Sequence, residues 1–238
     1  MKTEGIIFDK DGTLIDFDAF WVAVSKKALD RVLIKFNMEK VDVNEIFLAF
    51  GVHNGVTSIN GVLCKGTYEQ MGCIVYDILC KYGCKHSCDD VTEAVVAAYN
   101  ESVDAGEIKP TSPMLADLLK NLKSQGKHLA IVTTDNELIT RKCLSALGIE
   151  ELFDKIYTDD GVNPTKPDPY CALDFCNLFG MDKDRVVMVG DTVTDVRFAN
   201  NAGISVIGFA RNEENKEILS CYTNTVITDM RELLDILS

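Results

Sequence analysis

The sequence lacks any apolar stretch long enough to cross a membrane or to form the core of a secretory signal. Charged residues interrupt every hydrophobic segment, whereas a membrane span needs about 20 consecutive apolar residues. Near the amino terminus, the run Gly5–Phe8 is followed at once by charged residues, so it is too short for a signal. We therefore expect a cytoplasmic protein that has no membrane partner.

Basic residues are also scarce. The chain has 24 Lys and Arg against 37 Asp and Glu, which gives a formal net charge of −13. A charge of this sign repels the phosphates of nucleic acids and the head groups of anionic lipids at long range. We therefore expect no nucleic-acid partner, and any phosphate that the protein binds must meet a local positive charge.

The nine cysteines are an odd number, which favours free thiols over a disulfide framework when no secretory signal is present. Cys80, Cys84 and Cys88 recur every four residues, with His86 among them. This spacing fits no closed zinc motif. It would instead place the three thiols along one stripe of a helix, where small apolar side chains are commonly buried, so we predict buried thiols and no metal there.

Short apolar runs alternate with helical patterns over much of the chain. The runs are typical of strands buried in a parallel sheet: Glu4–Asp9, Leu129–Val132, Val186–Val189 and Ile204–Phe209. The helical patterns show one apolar face each: Met114–Lys123, Leu138–Leu147 and Tyr170–Phe179. This alternation predicts an α/β fold with a doubly wound, mainly parallel, Rossmann-like sheet.

Residues 17–100 follow a different pattern. They have helical periodicity, several glycines between Gly51 and Gly72, and no convincing buried strand. We predict an inserted α-helical domain at 17–100 within a catalytic domain formed by 1–16 and 101–238. Pro110 and Pro113 mark the return to the sheet-forming part.

Two acids stand where the first predicted strand ends. Ligands bind at the carboxyl ends of the strands in open α/β sheets, and Asp9 and Asp11 lie there together. Gly12 permits a sharp turn of the backbone after them. An EF-hand loop is the competing explanation, but it needs glycine at the sixth position and Glu at the twelfth, where this chain has Phe20.

A second acidic pair follows the strand that ends at Val189. Asp191 and Asp195 are four residues apart, so that both carboxylates can reach one cation if a helix begins here. Magnesium prefers such oxygen ligands and keeps several waters. Simple capping of the helix by Asp191 is the alternative.

Three further residues offer partners for phosphate. Thr133 and Thr134 close the strand Leu129–Val132, just before a helix that starts near Asn136. Their hydroxyl and backbone N–H groups can donate hydrogen bonds there, and the start of a helix favours a bound anion. Lys166 lies in a proline-containing loop and carries the charge that could neutralise a phosphoryl group or an acid. Ordinary capping would explain the threonines, and an exposed lysine would explain Lys166. Together with the two acidic segments, however, they make four elements at strand ends or in adjacent loops, which favours a single site.

In this order, the DxDGT segment Asp9–Thr13, the strand ending in Thr133, Lys166 and the GDxxxD segment Gly190–Asp195 resemble the haloacid dehalogenase superfamily. The resemblance covers nearly the whole chain and implies a helical cap that selects the substrate. It also implies a role for each motif residue. These are the nucleophile Asp9, the general acid and base Asp11, the phosphate ligands Thr133 and Thr134, the charge-neutralising Lys166, and a Mg²⁺ site formed by Asp9, Asp11 through its carbonyl, Asp191 and Asp195.

The resemblance implies a magnesium-dependent phosphatase that hydrolyses a small phosphorylated metabolite through an aspartyl-phosphate, similar to phosphoglycolate phosphatases. We expect a monomer or a homodimer. Lys10 stands where the family usually has an apolar residue. We expect its side chain to point to solvent, and the alternative is that it lies near the site and alters phosphate affinity.

The nearest rivals on the same fold are the β-phosphoglucomutases, which return the phosphate to the substrate. They typically have a small apolar residue at the position of Thr13 and a histidine at that of Trp21, so both residues favour hydrolysis. A phosphorylation-sensing receiver domain is another alternative, but the order of motifs opposes it. An inert phosphate-binding protein is a third, although all the expected acids are present.

Overall fold

The structure is a computed structural model, which describes residues 3–237. The chain forms two compact units, one made of Met1–Asp16 and Ile108–Ser238 and the other of Phe17–Glu107. The second unit ends at Glu107 rather than at the predicted residue 100. The difference arises because its last helix continues to Ser102 and a 3₁₀ turn follows it directly.

The strands, numbered along the chain, are β1 (Gly5–Phe8), β2 (Val52–His53), β3 (Val56–Thr57), β4 (His128–Asn136), β5 (Lys155–Asp159), β6 (Val186–Gly190), β7 (Ser205–Phe209) and β8 (Val226–Ile227). The helices are α1 (Ala23–Lys35), α2 (Val43–Phe50), α3 (Val62–Lys65), α4 (Tyr68–Lys81), α5 (Cys88–Ser102), α6 (Leu115–Ser124), α7 (Glu137–Ala146), α8 (Tyr170–Phe179), α9 (Val193–Ala202), α10 (Glu213–Ser220) and α11 (Glu232–Ile236). Within residues 3–237, none of these helices is both long enough and apolar enough to cross a membrane.

The first unit is built on a six-stranded sheet in the order β5-β4-β1-β6-β7-β8, in which every neighbouring pair is parallel. This confirms the predicted doubly wound α/β fold. The central strand β1 is buried along its whole length, as expected for a strand covered on both faces. The parallel order brings the carboxyl ends of β1, β4 and β6 to neighbouring positions at one edge.

One layer of the core lies between the sheet and helices α8 and α9. Ile7 and Met188 point from the sheet into a cluster that includes Phe175 of α8 and Phe198 of α9. All four side chains are fully buried, and burial of each contributes about 1.5–3 kcal/mol. This packing fixes the loops that lead into α8 and α9, which carry part of the site described below.

The second unit is mainly helical. α4 and α5 can approach closely because Gly72 faces Thr92, where a Cβ on the glycine would lie 2.4 Å from the threonine hydroxyl oxygen. α5 also packs on α1, and the buried Tyr99 hydroxyl donates a hydrogen bond to Ser25 at 2.8 Å. A small antiparallel hairpin, β2 and β3, is the only departure from the predicted all-helical pattern among the described residues of this unit.

The prediction that the three regularly spaced cysteines are buried is wrong. Cys80 is exposed near the end of α4, Cys84 lies in the following turn, and Cys88 begins α5, with both of the latter partly exposed. Gly83 has a φ of +88°, so the chain leaves the helix between the first and second thiols. The four-residue period therefore does not correspond to one buried helical stripe.

Candidate active site

Asp9 and Gly12 occupy the turn that follows β1. The Asp9 N–H donates to the carbonyl of Val189 at 2.9 Å, which extends the pairing of β1 with β6 by one residue. Gly12 has a φ of +86°, and a Cβ at this position would lie 2.1 Å from an Asp191 carboxylate oxygen. The turn thus requires glycine both for its backbone conformation and for the close approach of Asp191.

Asp195 is fixed by two hydrogen bonds at the start of α9. The N-cap residue is Thr192, whose backbone N–H and hydroxyl both donate to Asp195 Oδ2, at 3.0 and 2.7 Å. This is a capping box, and it turns the Asp195 side chain back towards the end of β6. The capping role considered for Asp191 thus belongs to Thr192, and the Asp191 carboxylate is left for other contacts.

Lys166 joins two of the acids. Its Nζ lies 2.5 Å from Asp9 Oδ1 and 2.6 Å from Asp195 Oδ1, and all three side chains are buried. The loop that carries the lysine is attached to α9 by a hydrogen bond of 2.9 Å from the Asn201 amide to the Pro167 carbonyl. Burial acts to lower the pKa of Lys166, but the carboxylates of Asp195 and Asp9 outweigh it and raise the pKa above its ordinary value.

Oxygen atoms of Asp9, Asp191 and Asp195 all lie within 4.8 Å of one another. Burial raises the pKa of Asp9 to about 7, with Lys166 acting against the shift and Asp195 adding to it. Burial also raises the pKa of Asp191 well above its usual range, although Arg211 opposes the change. Three buried carboxylates therefore exceed the positive charge around them, and such a set of oxygens fits a divalent cation such as Mg²⁺.

Arg211 was not anticipated from the sequence. Its Nε lies 3.1 Å from Asp191 Oδ2, and its side chain is 11% exposed. The one sequence signal for Arg211 is its position, two residues after the carboxyl end of β7, where ligands bind in such sheets. Its approach to Asp191 depends on β7 lying beside β6, which is a tertiary property. Arg211 supplies the second positive charge that faces the acids.

Thr133 and Thr134 lie within β4, which continues to Asn136 beyond the predicted end of the strand, and they differ in their surroundings. Thr133 is buried, and its hydroxyl oxygen accepts a hydrogen bond of 3.2 Å from the Asp135 N–H. Thr134 is exposed. Asn136 caps α7 by accepting from the Ile139 N–H at 2.9 Å, so both threonines precede the start of a helix as expected.

The Asp11 carboxylate does not join the three-acid cluster. It is directed to Lys10, whose Nζ lies 2.7 Å from each of its two oxygens. The structure thus separates the two acids of the first motif: Asp9 contacts Lys166, and Asp11 contacts Lys10.

The expectation that Lys10 points to solvent is wrong. Its side chain is 0% exposed, and besides Asp11 it contacts Asp135 Oδ2 at 2.9 Å. Burial acts to lower the pKa of Lys10, but the two carboxylates outweigh it and keep the pKa above its ordinary value. The partner Asp135 was also missed, because nothing in its local sequence indicates that it is turned towards β1.

Comparisons with known proteins agree with this geometry. A family profile for haloacid dehalogenase-like hydrolases matches residues 3–203. Pyrophosphatase PpaX of Halalkalibacterium halodurans is 29% identical over 212 residues, which cover 87% of this chain and 96% of the relative. Phosphoglycolate phosphatase of Haemophilus influenzae is 26% identical over 231 residues, with 97% and 96% coverage.

Among solved structures, a predicted phosphoglycolate phosphatase from Haemophilus somnus superposes with a TM-score of 0.74 at 22% identity and covers 100% of this chain and 99% of its own. At that identity, the likeness concerns the fold. The profile match extends over most of the chain and includes every motif residue described above. The protein therefore belongs to the haloacid dehalogenase-like hydrolase family.

Proposed function

We propose that this protein is a magnesium-dependent phosphatase that hydrolyses a small phosphorylated metabolite by way of a phosphorylated Asp9. The observation that carries the proposal is the buried contact of Asp9 with Lys166 inside a cluster of three carboxylates. A nucleophilic carboxylate needs a fixed orientation and nearby positive charge to receive an anionic substrate, and this cluster offers both.

In the first step, a carboxylate oxygen of Asp9 forms a bond to phosphorus while the bond from phosphorus to the leaving oxygen breaks. Asp11 gives its proton to that leaving oxygen. In the second step, water attacks the phosphorus of the aspartyl-phosphate, Asp11 takes up the proton, and phosphate and free Asp9 are formed. Atoms and charge balance over the two steps without any further reactant.

The remaining residues bind the phosphoryl group and neutralise its charge. Lys166 offsets the charge that develops on the phosphoryl oxygens, and Thr133 and Thr134 donate hydrogen bonds to them. Asp9, Asp191 and Asp195, with the Asp11 carbonyl, would hold Mg²⁺. When bound, the ion supplies further positive charge for the phosphoryl oxygens.

The substrate is proposed from the relatives. Their names point to phosphoglycolate and pyrophosphate as the first compounds to test, and both are small and anionic. We propose that the second unit, Phe17–Glu107, selects the substrate, because it is inserted after the first motif as the caps of this family are.

The test is phosphate release from phosphoglycolate, pyrophosphate, sugar phosphates and p-nitrophenyl phosphate, each with Mg²⁺ and with EDTA. We expect release that depends on Mg²⁺ and that Asp9→Asn lowers at least about 10³-fold. Asp117→Asn, at an exposed position of α6, is the matched control and should keep full activity. Rapid quenching followed by borohydride reduction should trap the phosphorylated residue at position 9.

Two results would contradict the proposal. Phosphate release that survives Asp9→Asn would remove the nucleophile from its assigned role. No release from any of the compounds, together with transfer of phosphate between two positions of a sugar phosphate, would instead indicate a mutase.

A further inference from the structure

We propose that Lys10 is a positioning residue that holds the Asp11 carboxylate apart from the metal-binding acids, with Asp135 as the anchor of its ammonium group. The proposal rests on the proposed function, in which Asp11 transfers the proton to the leaving group. Lys10 and Asp135 thus have positioning roles, although neither touches the substrate.

The ammonium group of Lys10 contacts two carboxylates. Its ammonium lies 2.7 Å from both oxygens of Asp11 and 2.9 Å from Asp135 Oδ2, so two carboxylates face one buried cation. The side chains of Asp11 and Asp135 are only 16% and 10% exposed. The three groups therefore form one ion cluster, which we call the Lys10 cluster.

The cost of burial argues that the lysine has a role beyond packing. An ammonium group removed from water loses several kcal/mol of solvation, and an apolar side chain of similar size would fill the same space without that loss. Replacing all members of a buried ion cluster with apolar residues is often neutral for stability, whereas removing the lysine alone leaves Asp11 and Asp135 buried without their cation. The feature that an apolar residue could not reproduce is the orientation of Asp11.

A second buried lysine of the same unit provides a contrast. Lys127 is 2% exposed, and its Nζ donates to the backbone carbonyls of Thr3 and Leu237 at 3.1 and 2.7 Å. These contacts join the beginning and the end of the described chain at the edge opposite the site. Lys127 thus fastens backbone segments, whereas Lys10 fastens a carboxylate that the mechanism uses.

The Lys10 cluster also explains how two neighbouring acids acquire different tasks. Asp9 and Asp11 are two residues apart at the end of the same strand, and without separate partners both carboxylates would turn to the same cation. Lys166 holds Asp9, and Lys10 holds Asp11. Since Asp135 belongs to β4, the orientation of Asp11 is tied to the neighbouring strand rather than to its own flexible turn.

The test uses Lys10→Met and a series of phosphate esters whose leaving groups range from alkoxides to nitrophenolates. Protonation by a positioned acid contributes about 10²–10⁴-fold for a poor leaving group and little for a good one. For Lys10→Met we therefore expect kcat/KM, which covers the steps up to departure of the leaving group, to fall about 30-fold on alkyl phosphates and less than about threefold on p-nitrophenyl phosphate. Asp11→Asn is the reference and should show the same dependence more strongly.

Lys127→Met is the matched control, since it also removes a buried ammonium from this unit. Lys127→Met should lower stability and leave the ratio of alkyl to aryl rates as in the native protein.

If Lys10→Met does not fold, Asp135→Asn carries the test, with an expected loss of about fivefold on alkyl phosphates alone. Equal losses of kcat/KM on all esters in these variants would overturn the proposal, provided that the native protein is active and Asp9→Asn is not. An inactive native protein would overturn the proposed function and this inference with it.

Discussion

Charged side chains are arranged differently at the two edges of the parallel sheet, the carboxyl edge where the strands end and the amino edge where they begin. At the carboxyl edge, five acids face three cations, and all are largely buried: Asp9, Asp11, Asp135, Asp191 and Asp195 with Lys10, Lys166 and Arg211. At the amino edge, the ion pairs are matched one to one and partly exposed, as in the pair of Lys123 with Asp154 and that of Arg185 with Glu4, and the buried Lys127 contacts backbone carbonyls.

This difference separates stability from function within one sheet. Exposed, matched pairs contribute up to about 1 kcal/mol each and tolerate change. An excess of buried acid destabilises the protein when no cation is bound, because each carboxylate has lost water without gaining a full partner. The carboxyl edge is therefore arranged for an ion and a substrate, and the amino edge for holding the chain together.

The largest effect should come from comparing two glycines, one at each edge. Gly12→Ala places a Cβ 2.1 Å from an Asp191 oxygen at a φ of +86°, whereas Gly126→Ala has a φ of +77° but no atom within 4 Å. We expect Gly12→Ala to lose about 3 kcal/mol of unfolding free energy and about 100-fold in phosphate release, because it displaces a metal-binding acid. Gly126→Ala should lose about 1 kcal/mol and no activity.

Urea unfolding and kinetic assays of both variants provide the measurement. Similar losses of activity in the two variants would show that backbone strain alone, and not the contact with Asp191, accounts for the effect.

A smaller effect concerns the stability of the metal-free protein at different pH values. The pKa of Asp9 is about 7 in the folded protein, against about 3.9 in an unfolded chain. The folded state thus holds this proton more tightly, so its stabilising contribution is present at low pH and is lost as pH rises through 7. One such group lowers the unfolding free energy by about 1.4 kcal/mol between pH 6 and pH 8.

Urea unfolding in EDTA at pH 6, 7 and 8 measures this slope, and Asp191 should add to it in the same direction. Asp9→Asn should flatten the slope, and added Mg²⁺ should raise stability most at pH 8. A slope that Asp9→Asn leaves unchanged would show that Asp9 is not its origin.

The smallest effect is expected at the amino edge. Asp154 accepts from Lys123 at 2.7 and 2.8 Å and from the Leu129 N–H at 2.9 Å. Asp154→Asn keeps an acceptor for the backbone and removes only the charge, so we expect a loss of about 0.5–1 kcal/mol and an unchanged kcat. Thermal unfolding and phosphate release check both statements, and a loss of activity would mean that the two edges are not independent.

Much of the fold could be predicted because buried parallel strands leave a clear pattern. The apolar runs that became β1, β4, β6 and β7 were each recognised to within a few residues. β5 was missed because Lys155–Asp159 is a five-residue edge strand without a fully buried residue, so it lacks the continuous apolar run that marks the other strands. β8 has only two residues, too few for any periodicity.

The site was predictable as far as it depends on strand ends. Asp9, Asp191 and Asp195 could be placed together from the sequence because a parallel sheet gathers such ends at one edge. Lys10 and Arg211 could not, since a charged residue in a turn is usually solvated and only the packing of neighbouring segments decides otherwise. The cysteines failed for a related reason: a regular spacing predicts a helical stripe only while the helix continues.

The capping box at Thr192 has a consequence for how the site comes into being. One oxygen of Asp195 closes the first turn of α9, and the other receives the lysine of a separate loop. Fraying of that turn would free Asp195 and remove one of the two carboxylates that hold Lys166, so the first turn of α9 and the surroundings of the nucleophile are coupled. An assembled site thus requires a folded start of α9, and hydrogen exchange at the first amides of α9 sets an upper limit on the fraction of molecules ready for turnover.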